Sequence, residues 1–182
     1  MKNLFILLTL LPSAALAHPG HDTGAPFMAG LNHPLGGTDH LLAMVAVGLW
    51  AALAGGRAIW AMPLTFVAAM LAGGALGAVG MTLPLVEPLI LASSIIIGAA
   101  VALALRPSLA ATLPLVALFG LAHGFAHGAE GPATGLVAYA AGFALATALL
   151  HLAGIGLGRF GLTATRLLGA ATMAAGLALG FA

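Results

Sequence analysis

The sequence contains no cysteine, and only 5% of its 182 residues are charged. Without cysteine the chain has no disulfides, no thiolate metal sites and no cysteine-ligated iron–sulfur clusters. A soluble domain normally carries about a quarter charged residues, so this chain cannot cover a surface that faces water. A net charge of +1 without any basic tract gives no sign of nucleic-acid binding. With 62% hydrophobic residues and a mean hydropathy of +1.17, the composition predicts an integral membrane protein.

The first 17 residues, MKNLFILLTLLPSAALA, are typical of a secretory signal peptide. Lys2 precedes a short apolar core, and Ala15-Leu16-Ala17 matches an A-x-A cleavage site. The core is too short to span a bilayer comfortably, although an uncleaved first anchor is the alternative. We therefore expect a mature chain that begins at His18 outside the cytoplasm and forms a single domain over residues 18–182.

After the signal, glycine, proline and arginine divide the sequence into six apolar segments, each near the ~20 residues that a transmembrane helix needs. The predicted spans are 37–55, 58–80, 86–105, 109–129, 132–157 and 162–181. The alternating pattern of transmembrane barrels is missing, so the expected fold is all-α, a polytopic membrane helix bundle with six transmembrane helices. Small-xxx-small spacings such as Gly120-x3-Gly124-x3-Gly128 predict closely packed helices.

The arginines indicate the orientation, because cytoplasmic loops are enriched in Lys and Arg. If the mature N-terminus is outside, the first, third and fifth connections face the cytoplasm. The arginines fall in or beside these connections: Arg57, Arg106, Arg159 and Arg166. The predicted orientation places the mature N-terminus on the extracytoplasmic side of the membrane.

The first group of metal-ligand residues is HPLGGTDH, residues 33–40, in front of the first predicted span. The proline and glycines of this stretch predict a break in the helix, with Thr38 as the N-cap of the span. Asp39 and His40 then lie in the first turn, and the broken backbone could fold His33 back toward them. The alternative is that Asp39 only complements the helix dipole and that the histidines lie at the membrane interface.

The second group is HGFAHGAE, residues 123–130, at the outer end of the fourth span. His123 and His127 are four residues apart and therefore share one helical face, and Glu130 follows one turn later. A pair of interfacial histidines is the alternative. Imidazole and carboxylate ligands without thiolate suit Ni²⁺, Co²⁺, Zn²⁺ or Cu²⁺, whereas Mg²⁺ and Ca²⁺ prefer oxygen ligands. Both groups are predicted to lie in the outer half of the membrane.

Other polar residues stay open as participants: His18, His21, Asp22, Glu87 and His151. The histidine that begins the mature chain could chelate a metal with its α-amine and ring, or belong to a flexible tail. His151 is either a relay on the inner exit path or a packed histidine bonded to a neighbouring helix. Glu87 either gates the outer mouth or is a solvated loop carboxylate. Ser93 and Ser94 are expected to form interhelical hydrogen bonds.

The segments HPLGGTDHLLAMVAVGLWA and GLAHGFAHGAE resemble the two signature segments of the HupE/UreJ family of bacterial nickel/cobalt permeases. The signal, the mature terminus that begins with histidine and the six spans are similar too, so the resemblance covers essentially the whole chain. It implies secondary uptake of Ni²⁺, and sometimes Co²⁺, that supplies hydrogenase or urease assembly. The motif residues that it carries over are His33, Asp39, His40, His123, His127 and Glu130.

The resulting hypothesis is a facilitated or ion-coupled metal permease, not an enzyme, with its site in the outer half of spans one and four. No prosthetic group is expected; the cargo is Ni²⁺ or Co²⁺, Zn²⁺ and Cu²⁺ stay open, and so does the oligomeric state. The chain has no nucleotide-binding loop, so this subunit does not hydrolyse ATP. One alternative is a membrane-embedded zinc-dependent hydrolase with the same ligands and with Asp39 or Glu130 as base. The other is bis-histidine haem binding between spans.

Overall fold

The computed structural model describes residues 25–181, which form seven α-helices and one 3₁₀ helix, with no strand in that range. The helices are α1 Pro26–Gly36, α2 Thr38–Ala54, α3 Ala58–Ala78, α4 Val86–Ala102, α5 Leu109–Ala129, α6 Leu136–Leu157 and α7 Leu162–Gly180. The 3₁₀ helix Gly158–Phe160 directly follows α6. The prediction of an all-α protein is confirmed. The predicted signal peptide and the residues His18, His21 and Asp22 lie outside the described range.

Among residues 25–181, four helices are long and apolar enough to cross a membrane, namely α3, α5, α6 with its 3₁₀ extension, and α7. Together α1 and α2 are also long and apolar enough, but the two helices meet at an 86° bend. They add a fifth span only if the bent pair is counted as a single span. The apolar helix α4 has 17 residues. At ~1.5 Å per residue it covers roughly 26 Å, a little less than the ~30 Å of hydrocarbon in a bilayer. Helices α2–α7 occupy the six predicted segments.

The helix α1 differs from the sequence-based expectation of a broken backbone before the first span. It includes Pro34 and Gly36, and only Gly37, with φ −106° and ψ 118°, separates it from α2. Pro26 lies in the first turn, where the missing N–H costs no helical hydrogen bond. The prediction of Thr38 as N-cap is wrong, because the cap position is Gly37 and no side chain bonds to this helix end.

Packing against α6 explains why α1 forms despite its internal proline. A Cβ atom on Gly30 would collide with the backbone of Tyr139, and one on Gly142 would collide with the backbone of Phe27. The two helices therefore touch backbone to backbone, and Pro34 itself is buried. This tertiary contact, which lies about 110 residues away along the chain, outweighs the low helix propensity of proline.

Glycines also set the close contact between α3 and α5, which run parallel. Cβ atoms on Gly120, Gly124 and Gly128 would each collide with the backbone of α3. Gly73 on α3 lies in the same way on the backbone of Leu121. The predicted small-xxx-small packing is therefore confirmed for this face. The close approach brings the histidine-bearing turns of α5 to the centre of the bundle.

The pairing of helices relates the first three predicted spans to the last three. Helix α2 packs on α6, α3 on α5, and α4 on α7. Exchanging α2 with α5, α3 with α6 and α4 with α7 converts the α2–α6 pair into the α3–α5 pair and leaves the α4–α7 pair unchanged. The contact of α2 with α7 likewise exchanges with that of α5 with α4. The extensive contact of α2 with α4 has no counterpart of similar extent between α5 and α7, so the relation is partial. Inverted repeats of secondary transporters produce this kind of pairing.

Charged residues are divided between the two ends of the bundle. The end at which α2 begins and α5 finishes carries the carboxylates of the described range: Asp39, Glu87 and Glu130. The opposite end carries the described arginines: Arg57, Arg106, Arg159 and Arg166. There, Nε of Arg166 donates a hydrogen bond to the carbonyl oxygen of Ala102 at 2.8 Å and joins the ends of α7 and α4.

Replacing Gly73 with alanine tests the role of backbone contact. The added Cβ would collide with the backbone of Leu121, and overpacking of this kind costs about 1–3 kcal/mol. The expected result is a lower unfolding temperature of the purified protein in detergent. The matched control is Gly156→Ala on α6, where a Cβ meets nothing within 4 Å. There the better helix propensity of alanine should leave the stability unchanged or raise it. Equal unfolding temperatures of the two variants would contradict the packing argument.

Candidate metal site

The two groups of metal-ligand residues meet in one pocket at the carboxylate end of the bundle. The pocket has a volume of about 560 Å³, and its lining includes His33, Asp39, His40, His127 and Glu130. The 86° bend between α1 and α2 brings the end of α1 over the start of α2. The remaining predicted residue, His123, lies behind this lining and contacts the ring of His40, with ring centroids 4.8 Å apart.

The outer part of the pocket holds two imidazoles and a carboxylate. Ligand atoms of His33, His127 and Glu130 all lie within 4.8 Å of one another. Adjacent ligand atoms on one ion, at ~2.1 Å from it, lie about 3 Å apart. Side-chain rotations that close the group by less than 2 Å, on the order of one rotamer adjustment, bring all three to bonding distance. Glu130 is exposed at the end of α5, whereas His127 is buried.

The inner part of the site is a cluster of three imidazoles. The ring centroid of His40 lies 4.3 Å from that of His127 and 4.8 Å from that of His123. His123 and His127 share a face of α5, and His40 contacts both of them from the first turn of α2. The side chain of His123 is fully buried, and that of His40 is 12% exposed. His127 belongs to both parts of the site.

Asp39 orients His40. Its Oδ1 accepts a hydrogen bond from Nδ1 of His40 at 2.9 Å. The proton therefore resides on Nδ1, and the lone pair of Nε2 is available to a metal ion. Metal-binding histidines commonly donate their second ring N–H to a carboxylate in this way.

Ser93 on α4 orients His123 by a similar contact. The hydroxyl of Ser93 donates its single proton to the carbonyl oxygen of Ile90, and its oxygen lies 3.0 Å from Nε2 of His123. Nε2 must then be the donor in this contact, which leaves the lone pair of Nδ1 available. The neighbouring Ser94 donates to the backbone carbonyl of Asp39 at 3.0 Å. The expectation that both serines form interhelical hydrogen bonds is confirmed.

Several ring nitrogens at the site have no hydrogen-bond partner among residues 25–181. These atoms are Nε2 of His40, Nδ1 of His123 and both ring nitrogens of His127. A buried polar group without a partner costs about 1–3 kcal/mol, so a native structure rarely keeps several of them together. Two of these atoms, Nε2 of His40 and Nδ1 of His123, are the nitrogens whose lone pairs remain free after the contacts with Asp39 and Ser93. This arrangement fits a cation that accepts several nitrogen ligands.

Aromatic side chains form the walls of the site, and no pattern in the sequence predicted them. The ring centroid of Phe143 lies 4.4 Å from that of His127, and Tyr139 lies 5.7 Å from His33. Both aromatics come from α6, which contributes no predicted ligand. Glu87, considered as a gate, is exposed in the first turn of α4 and does not line the pocket.

The comparison with known proteins agrees with this geometry. The family model described as HupE / UreJ protein matches residues 6–179. The chain belongs to the HupE/UreJ family. It is 44% identical over 190 aligned positions to Protein HupE of Rhizobium leguminosarum bv. viciae, and the alignment covers 98% of each chain. No solved structure matches the chain. Family membership confirms the resemblance drawn from the two motifs, and it connects the chain with nickel and cobalt transport in membranes.

The contact between Ser93 and His123 gives a test of the site. The variant Ser93→Ala removes the acceptor that fixes the ring of His123. We expect the nickel affinity of the purified protein, measured by calorimetric titration, to fall roughly 10–100-fold, as when other orienting partners of metal ligands are removed. The control is Thr172→Ala on α7, a buried residue whose hydroxyl bonds only to Leu168 of its own helix. An unchanged affinity in Ser93→Ala would show that His123 is not a ligand.

Proposed function

We propose that this chain takes up Ni²⁺ or Co²⁺ across the bacterial inner membrane by secondary transport, and that the pocket is its outer binding site. The observation that carries this proposal is the set of unpaired imidazole nitrogens behind a mouth that bears carboxylates. Burying such atoms without a partner costs free energy, whereas a divalent ion can bind several of them at once. Family membership supports the same cargo.

The site supports a stepwise replacement of hydration water by protein ligands. Glu130 is exposed at the mouth, where its charge attracts a cation and its oxygen replaces the first water. His33 and His127 follow with nitrogen ligands. His127 then passes the ion to the inner imidazoles, because it lies in both parts of the site. Asp39, bonded to the ring of His40, acts in this scheme as an orienting group rather than as a direct ligand.

The same contacts weigh against the alternatives that the sequence left open. A zinc-dependent hydrolase needs a carboxylate or similar base, and Oδ1 of one of the two candidates, Asp39, already accepts a hydrogen bond from Nδ1 of His40. The family match also favours transport. For bis-histidine haem binding a porphyrin must lie between two imidazoles. The rings of His40 and His123 are instead in edge contact. Nitrogen ligands favour late transition metals over Mg²⁺ and Ca²⁺.

The proposal includes six spans after a cleaved signal, with the metal pocket on the periplasmic side. The separation of arginines from carboxylates supports this orientation. In this topology α1 and α2 form one bent entry span, and the short helix α4 crosses the bilayer as the third span.

Single cysteines introduced into this chain, which has none, test the topology. We expect a membrane-impermeant maleimide to label Thr82→Cys and Ala133→Cys in intact spheroplasts, because both lie in connections at the pocket end. Ser108→Cys and Thr163→Cys, at the arginine end, should react only after the membrane is permeabilised. The cysteine-free parent chain is the labelling control. Labelling of Ser108→Cys in intact spheroplasts would overturn the proposed orientation.

Replacing His127 tests the proposed transport. The variant His127→Ala removes the residue common to both parts of the site, so radioactive nickel uptake by expressing cells should fall at least about tenfold. Thr172→Ala, matched for burial and distant from the pocket, should transport at the wild-type rate. Both variants are compared at equal amounts of protein in the membrane. Wild-type accumulation in cells with His127→Ala would refute the assignment of this site to transport.

A further inference from the structure

His151 lies inside the bundle, deeper than the outer site. Its side chain is fully buried in the half of α6 nearer the arginine end, and neither ring nitrogen has a hydrogen-bond partner among residues 25–181. The sequence-based alternative of a packed histidine bonded to a neighbouring helix is therefore not what the described residues show. Its ring instead meets the ring of Phe66 on α3 at 88°, with centroids 5.1 Å apart.

One helical turn from His151, a threonine hydroxyl contacts two methionine sulfurs. Thr147 precedes His151 by four residues, so both project from the same face of α6. The Oγ1 atom of Thr147 lies 3.4 Å from Sδ of Met44 and 3.5 Å from Sδ of Met70. The three side chains come from α6, α2 and α3, and all are at most 2% exposed. Sulfur accepts hydrogen bonds weakly, so these atoms satisfy one another poorly.

The group is continuous with the outer site. Met44 follows His40 by four residues on α2, which places its side chain one turn further from the pocket mouth. Phe66 contacts the imidazoles of both sites, with its ring centroid 5.5 Å from His123 and 5.1 Å from His151. From the mouth inward, potential ligands therefore occur at each turn.

We propose that His151, with the thioether sulfurs of Met44 and Met70, forms a second and deeper binding site for a late transition-metal ion. This inference rests on the proposed function, since it places a second stop for the same cargo on its route inward. Imidazole and thioether ligands select borderline and soft ions and do not hold Mg²⁺ or Ca²⁺. The site carries no carboxylate, so it binds the divalent ion more weakly than the outer site and releases it more readily.

Packing alone does not account for a histidine at position 151. A histidine kept only for packing offers no advantage over leucine at a fully apolar contact with Phe66, and its two unpaired nitrogens cost free energy. The backbone of His151 approaches α2 closely, because a Cβ atom on Gly48 would collide with its carbonyl oxygen. The ring position is thus held by the packing of the α2–α6 pair.

The test compares two substitutions of similar volume, His151→Leu and His151→Met. Leucine and methionine exchange with little cost in a core, but only methionine offers a ligand atom. We expect His151→Leu to lower nickel uptake by at least about tenfold, and His151→Met to retain a larger part of it. Thr172→Ala serves as the control for a buried polar change outside the route.

Nickel binding to the purified, full-length protein gives the second measurement. In a His33→Ala/His40→Ala/His123→Ala/His127→Ala background the outer site keeps no imidazole, and equilibrium dialysis should detect the weaker deep site. Adding His151→Leu to this background should abolish the residual binding, whereas adding His151→Met should preserve part of it. In the otherwise wild-type protein, His151→Leu should leave the tight outer binding unchanged.

The outcomes separate this inference from the proposed function. If His151→Leu transports nickel at the wild-type rate, or if the residual binding persists in its presence, the deep site is refuted while the outer site stands. If the wild-type chain transports no nickel, the proposed function fails. Loss of residual binding with His151→Leu would then still establish a deep metal site.

Discussion

The cost of leaving imidazole nitrogens unpaired in an apolar interior is the constraint on which the rest of this structure depends. His40, His123, His127 and His151 each keep at least one such atom within the described range, and each costs about 1–3 kcal/mol. Close glycine contacts hold the helices that carry them, so the rings cannot turn out to solvent without opening the bundle. An ion that binds these atoms in the folded state stabilises that state. On the proposed route, the transported ion therefore also contributes to the stability of the fold that binds it.

Helix α4 carries no proposed ligand, but its serines determine the tautomer of one ligand and the backbone position next to another. Ser93 on α4 fixes which nitrogen of His123 carries the proton, and Ser94 holds the backbone of Asp39 at the start of α2. Asp39 in turn fixes the proton on His40. Both rings consequently offer one defined lone pair. An ion that replaces its water shell step by step needs such preorganised ligands, because no ligand then has to change its proton before it binds.

Local pattern predicted much of this arrangement, and long-range packing determined the rest. Hydropathy located α2–α7, and the four-residue spacing placed His123 and His127 on one face. The helix α1 was not predicted, because it depends on the backbone contact between Gly30 and Tyr139, which are far apart in the sequence. The lack of hydrogen bonds to His151 within the described range was not predicted for a similar reason. Whether a buried histidine is bonded depends on which side chain the neighbouring helix places against it, and here that side chain is the ring of Phe66.

The order of ligand types along the bundle has a consequence for transport. A carboxylate and two imidazoles lie at the mouth, two further imidazoles lie behind them, and one imidazole with two thioethers lies deepest. Negative charge thus lies at the mouth, and thioethers replace imidazoles at the deepest level, so on the proposed route capture is strong where the ion is dilute and retention is weak where it must leave. Conduction requires binding that favours entry yet permits exit. On the proposed route, a carboxylate added beside His151 would strengthen retention, and the apolar surroundings of that histidine are therefore part of how the ion is released.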